Sequence, residues 1–245
     1  FVVDGTGNPW YRADVAVSGD RVVAVGVLDR SRADRVIDAG GLWVTPGFID
    51  PHSHAAGGLS SAELSHARPL LAQGITTVFV NPDGGGPVDL AAQREQLLEH
   101  GLGLNVAQLV GHGSIRSAVI GREDRAPNPD ELDRMRALAR EAMEQGAFGL
   151  SSGLFYAPDS YAEIGEVVEL GKVVARYGGI YTSHIRDESD YTIGLAAAVD
   201  EVIRVAREAG MRGSVTHIKA LGPRVWGSAA DVIAQIEQAR ADGVE

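Results

Sequence analysis

Leu42-Trp43-Val44-Thr45-Pro46-Gly47-Phe48-Ile49-Asp50 is the stretch at which this 245-residue sequence changes rhythm. Before it the pattern is short and β-rich: Ala13 to Val27 reads as a hairpin, with Gly19-Asp20 turning between Val15-Ala16-Val17 and Arg21-Val22-Val23-Ala24-Val25. Arg35-Val36-Ile37-Asp38 predicts one more short strand ahead of Gly40-Gly41. After it, apolar runs at residues 47–49, 76–80, 105–110, 148–151, 180–183 and 213–216 alternate with segments of helical periodicity. The helices carry punctuation. Asn128 precedes Pro129 at a first helical position and Gly146 closes that segment, while Ser160-x-x-Glu163 and Ser228-x-x-Asp231 predict capping boxes, closed by Gly178-Gly179 and Gly243. Six strand–helix alternations imply a parallel sheet, either doubly wound or closed into a barrel, and fall two short of the usual eightfold barrel. Residues 243–245 sit where a seventh strand is expected to begin.

Bulk composition narrows the chemistry. A hydrophobic content of 44% supports a large core, and a net charge of −11 without a basic block lacks the footprint of a nucleic-acid or anionic-membrane binder. No apolar run approaches the roughly 20 residues that span a bilayer. There are no cysteines, so a metal site would be built from histidine and carboxylate. The sequence starts at Phe1 and not Met, so its true N-terminus is expected upstream; the expected location is the cytoplasm, with export and homo-oligomerisation left open.

Five of the seven histidines, His52, His54, His112, His184 and His217, fall at or just past the end of an expected strand. In a barrel of parallel strands those ends share one mouth, so residues spread from 52 to 217 would meet there. The two-residue spacing of His52 and His54 points both rings to one side, as two imidazoles on one metal require. Asp83, within Asn81-Pro82-Asp83-Gly84-Gly85-Gly86, is the best anionic companion for that set, although it reads equally well as a turn aspartate beside glycines. His112 is expected to stand behind the ligands, and His66 and His100 read as helix residues of no special role.

The run Pro46-Gly47-Phe48-Ile49-Asp50-Pro51-His52-Ser53-His54 resembles the first-strand signature of the amidohydrolase superfamily. Gln73 to Val78, Gly149 to Pro158, Ser183 to Glu188 and Thr216 to Lys219 resemble its D-aminoacylase group, the N-acyl-D-amino-acid deacylases, and the resemblance covers nearly the whole chain. It implies an α/β fold: a TIM-like (β/α)8 metal-dependent hydrolase barrel over residues 46–245, incomplete at about six βα units, with a small N-terminal β-sandwich portion over residues 1–45. It implies one or two zinc ions held by His52, His54, Asp83, His184 and His217, and hydrolysis of the amide bond of a small N-acyl-D-amino acid. Asp83 stands where that group usually has a cysteine, and the strand-eight aspartate that serves as general base is expected beyond residue 245.

Around that reading, Tyr156 near the fourth strand end is a candidate oxyanion donor, or else a packed loop aromatic. Lys219 and Arg186, each two residues past a metal-ligand histidine, are candidates for holding the substrate carboxylate; Arg186 could instead pair with Asp187 or Glu188. Dihydroorotases and hydantoinases bridge their metals with a carboxylated lysine after strand four, where this sequence has Ser151-Ser152-Gly153. That disfavours a cyclic amidase. A cyclic amidase or dipeptidase of the same superfamily, and a non-catalytic metal-binding barrel, remain the alternatives.

Overall fold

The computed structural model describes residues 1–245, which divide into two compact units, Phe1–Phe48 and Ile49–Glu245. The first is antiparallel β. Strands β1 (Asp14–Ser18) and β2 (Arg21–Gly26) pair through the expected turn, with Gly19 in the left-handed region at φ 59°. Val2 bridges to Tyr11 and to Val44, and Trp10 packs edge to face on both Phe1 and Trp43 around that end. The strand expected at Arg35–Asp38 does not form. Those residues are exposed, and the Asp38 carboxylate accepts the Gly40 N–H at 2.9 Å, closing a local turn in place of a ladder.

The second unit is built on a six-stranded sheet. Its elements run β3 (Phe48–Asp50), α1 (Ala56–Leu59), α2 (Arg68–Leu71), β4 (Ile75–Val80), α3 (Leu90–Leu98), β5 (Asn105–Gly111), α4 (His112–Val119), α5 (Pro129–Glu144), β6 (Gly149–Gly153), α6 (Ile164–Ala175), β7 (Ile180–His184), α7 (Leu195–Ala209), β8 (Arg212–Val215) and α8 (Ala229–Ala241). The sheet order is β3-β4-β5-β6-β7-β8, and the strands from β4 to β8 pair parallel with their neighbours. Strands in chain order with a helix after each make an incomplete TIM-like barrel. No helix is long and apolar enough to cross a membrane.

Packing follows the sequence periods. On α7 the buried positions are Leu195, Ala198, Val199, Val202, Val205 and Ala206, steps of three and four that make one stripe. That stripe shares a core with Leu150 of β6, Tyr181 of β7 and Val167, Leu170 and Val174 of α6, all essentially inaccessible to solvent. Each fully buried Val or Leu contributes about 1.5–3 kcal/mol. Helix α5 starts on a complete capping box between Asn128 and Glu131. The two other expected boxes fail. Ser160 lies in a 3-10 turn, Asp159–Tyr161, and α6 begins only after Glu163; Ser228 stands at the α8 N-cap, but its hydroxyl donates backwards to the Val225 carbonyl at 2.6 Å.

Candidate metal centre

The strands deliver five polar side chains to one rim. His52 and His54 follow β3, Asp83 follows β4, His184 ends β7 and His217 lies two residues past β8. Asp83 is the hub. Its Oδ2 lies 3.5 Å from His52 Nε2 and 3.2 Å from His54 Nε2, and its Oδ1 lies 3.8 Å from both His184 Nδ1 and His217 Nε2.

The loop that presents Asp83 is held from three sides. Asn81 donates to Gln93 Oε1 at 2.8 Å and to the Leu109 carbonyl at 2.9 Å, and Gln93 and Gln108 extend that buried amide network. The Ser151 hydroxyl donates to the Asn81 carbonyl at 2.7 Å and accepts the Gly84 N–H at 3.2 Å, bracketing Asp83. Asn81 and Asp83 both adopt positive φ, 63° and 56°, which Asn and Asp tolerate better than other side chains. Gly84 is required here: at φ 72° a Cβ would also lie 2.2 Å from Asp159 Oδ2.

These donors suit a divalent metal. His52 Nδ1, Asp83 Oδ1 and both nitrogens of His184 are buried without a hydrogen-bond partner. Orphaned polar atoms cost about 1–3 kcal/mol each unless something binds them. Zinc bonds of about 2.0–2.1 Å in tetrahedral geometry separate ligand atoms by about 3.3 Å, close to the spacings around Asp83. Burial holds the imidazoles of His52 and His184 below the ordinary value, against the pull of Asp83 and, for His184, Glu188. Neutral imidazole is the form that ligates. Beside the cluster a cavity of about 570 Å³, lined by His54, Asp83, Pro87 and Tyr156, has room for a small organic substrate.

Residues 35–241 match the sequence model of the amidohydrolase family. The chain belongs to that family. It is 38% identical over 268 residues to an N-acyl-D-glutamate deacylase of Alcaligenes xylosoxydans xylosoxydans, a match covering 100% of this chain and 54% of the relative. A D-aminoacylase of the same organism is 34% identical, over 98% of this chain and 53% of its own length. The crystal structure of an N-acyl-D-glutamate deacylase from Bordetella bronchiseptica, complexed with zinc and a phosphonate inhibitor that mimics the tetrahedral intermediate, superposes with a TM-score of 0.88 at 36% identity. That superposition covers 100% of this chain and 55% of the other. The amidohydrolase chain thus spans about half the length of the curated relatives it matches.

The remaining candidates of this amidohydrolase divide. Tyr156 lies at the mouth, 49% exposed, with its ring 4.7 Å from that of His184. Lys219 Nζ is 2.6 Å from Glu188 Oε1 and 3.1 Å from His217 Nδ1, beside the cluster but already paired. Arg186 does not face the cluster as expected. Its Nε donates to Glu201 at 2.9 Å and its two terminal nitrogens to the Ser160 and Ala162 carbonyls, so the guanidinium ties α7 to the loop after β6 and is not available to a substrate carboxylate. Strand alternation misplaced it, because the chain has left β7 at His184 and turns. Glu188, read from sequence only as a partner for Arg186, is buried behind His184 and His217. His66 and His100 lie in turns flanking helices.

His112 is fully buried at the start of α4, in a cluster of its own. Its Nδ1 meets Asp159 Oδ1 and its Nε2 meets Glu166 Oε1, both at 2.9 Å; Arg116 donates to Glu166 Oε2 at 2.6 Å. Burial opposes the charged imidazolium, but Asp159 and then Glu166 outweigh it and raise His112 to about 9. Glu166 is held below the carboxylate range despite its burial, by His112 and Arg116. Asp159 Oδ2 accepts the Gly153 N–H at 2.7 Å, linking this cluster to the end of β6.

Proposed function

We propose that the protein is a zinc-dependent N-acyl-D-amino-acid deacylase, which adds water across the amide to give a carboxylate and a free D-amino acid. The observation that carries the reading is the Asp83 carboxylate ringed by four strand-end imidazoles, in a chain whose relatives along its full span are D-amino-acid deacylases. His52, His54, Asp83, His184 and His217 would hold one or two zinc ions. When bound, zinc lowers the pKa of water towards about 7 and polarises a carbonyl. Asp83 offsets the positive charge and, facing both pairs of imidazoles, is placed to serve both. The Tyr156 phenol donates to the carbonyl oxygen of the substrate as negative charge develops there. The Lys219 ammonium, half exposed above buried Glu188, receives the substrate carboxylate.

A carboxylated-lysine bridge of the cyclic-amidase kind has no residue to form on: β6 ends in Ser151-Ser152-Gly153, and Lys172 is on α6, paired with Glu169 at 2.7 Å. The test is turnover of N-acetyl-D-glutamate, N-acetyl-D-aspartate and N-acetyl-D-methionine beside their L enantiomers, dihydroorotate and a 5-substituted hydantoin. Free amino acid should appear from D substrates only, stop on chelation and return with zinc. Turnover of the cyclic amides alone would overturn the assignment.

A further inference from the structure

We propose that Glu188 is a positioning residue that decides which nitrogen of His217, and with it of His184, carries the proton and which is left to bind metal. This rests on the metal-dependent reading above. Glu188 is 3% exposed, and its Oε1 lies 3.3 Å from His217 Nδ1, 3.8 Å from His184 Nε2 and 2.6 Å from Lys219 Nζ. The opposite nitrogens of the same rings, His217 Nε2 and His184 Nδ1, each lie 3.8 Å from Asp83 Oδ1. Two imidazoles therefore stand between two carboxylates, presenting one nitrogen to each.

A neutral imidazole has one N–H and one lone pair, so each ring can serve only one side as a ligand. Lys219 settles which. Its ammonium already occupies the Glu188 side, where a metal would meet like charge, whereas the Asp83 side adds two more imidazoles. The lone pairs then face Asp83 and the N–H groups face Glu188. Lys219 is also a competitor. At 3.1 Å from His217 Nδ1 it would donate to that nitrogen and force the proton onto Nε2 if Glu188 did not hold both donors. A carboxylate behind a ligating histidine is a known way to fix its tautomer, and its loss typically costs 10–100-fold in metal affinity.

Three zinc-binding curves, measured by chelator competition, test this. Glu188→Ala should weaken zinc about 10–100-fold. Adding Lys219→Met to it should recover most of that loss, because the competing donor is gone. ¹⁵N NMR of the zinc-loaded wild-type protein, which needs no variant to fold, should place the protons on His217 Nδ1 and His184 Nε2. Unchanged affinity in Glu188→Ala, no recovery in the double variant, one fewer bound zinc per chain, or protons on the Asp83-facing nitrogens would each overturn the proposal. A wild-type protein that binds no zinc would refute the functional reading as well.

Discussion

Two clusters of histidine and carboxylate lie within this unit, and they differ in what they leave undone. Around His112, both ring nitrogens, both Asp159 oxygens and both Glu166 oxygens have partners, Arg116 Nε alone lacks one, and the group is sealed from water. Around Asp83, four buried atoms, His52 Nδ1, Asp83 Oδ1 and both nitrogens of His184, have none, and the cluster opens on a cavity. The same residue types serve opposite ends. A set of two cations and two anions that pair with one another holds helices together, and a set with unpartnered donor atoms beside a cavity has the chemistry to bind a cation. The comparison predicts that damage to the first should appear as lost stability, and damage to the second as lost binding and turnover.

The largest expected stability effect comes from Glu166→Ala, which strands His112 and Arg116 without their shared anion. Breaking a buried pair of this kind costs about 3–5 kcal/mol. Thermal unfolding should show a correspondingly lower Tm with zinc affinity intact; an unchanged Tm would show that the cluster is not structural. Next is Lys219→Ala, on the open side. Loss of a cation that reads the substrate carboxylate should lower kcat/KM by about 30-fold to 1000-fold for an N-acetyl-D-amino acid, or about 2–4 kcal/mol. For the matching substrate amide the loss should vanish. Equal losses on both would mean that Lys219 supports the site without reading the carboxylate.

The smallest effect is one of pH. Because His112 is raised to about 9 in the folded chain, above its unfolded value, its contribution is full below about pH 6.5 and is lost as pH rises through about 9. Tm should therefore drop by a few degrees between about pH 7 and pH 9.5, and much less in His112→Gln. A flat profile in the wild type would mean that the imidazolium is not the form the cluster stabilises.

How much of this was legible in sequence follows the same division. The open cluster was readable because each of its residues sits at or just past a strand end, and strand ends are marked by short apolar runs: His52, His54, Asp83, His184 and His217 all reach the mouth. The closed cluster was not. Asp159 and Glu166 meet His112 from 47 and 54 residues away, through a 3-10 turn and the first turn of α6, and no periodicity announces either contact. The same turn takes in Ser160, so α6 starts only after Glu163 and the expected capping box does not form. Arg186 and Glu188 were misread together. Past the end of β7 the two-residue alternation no longer applies, so Arg186 turns to Glu201 while Glu188 moves in behind the imidazoles.

If a metal is held at this rim, Asp83 is the anion around which it sits. Zinc titration of the wild-type protein beside Asp83→Ala, at a pH where the imidazoles are neutral, tests it most directly. Asp83→Ala should lose more than about 100-fold in zinc affinity, beyond the range of a residue that only supports a ligand, while the metal-free proteins unfold at similar temperatures. Equal zinc affinity in the two proteins would contradict it and return Asp83 to being a turn residue.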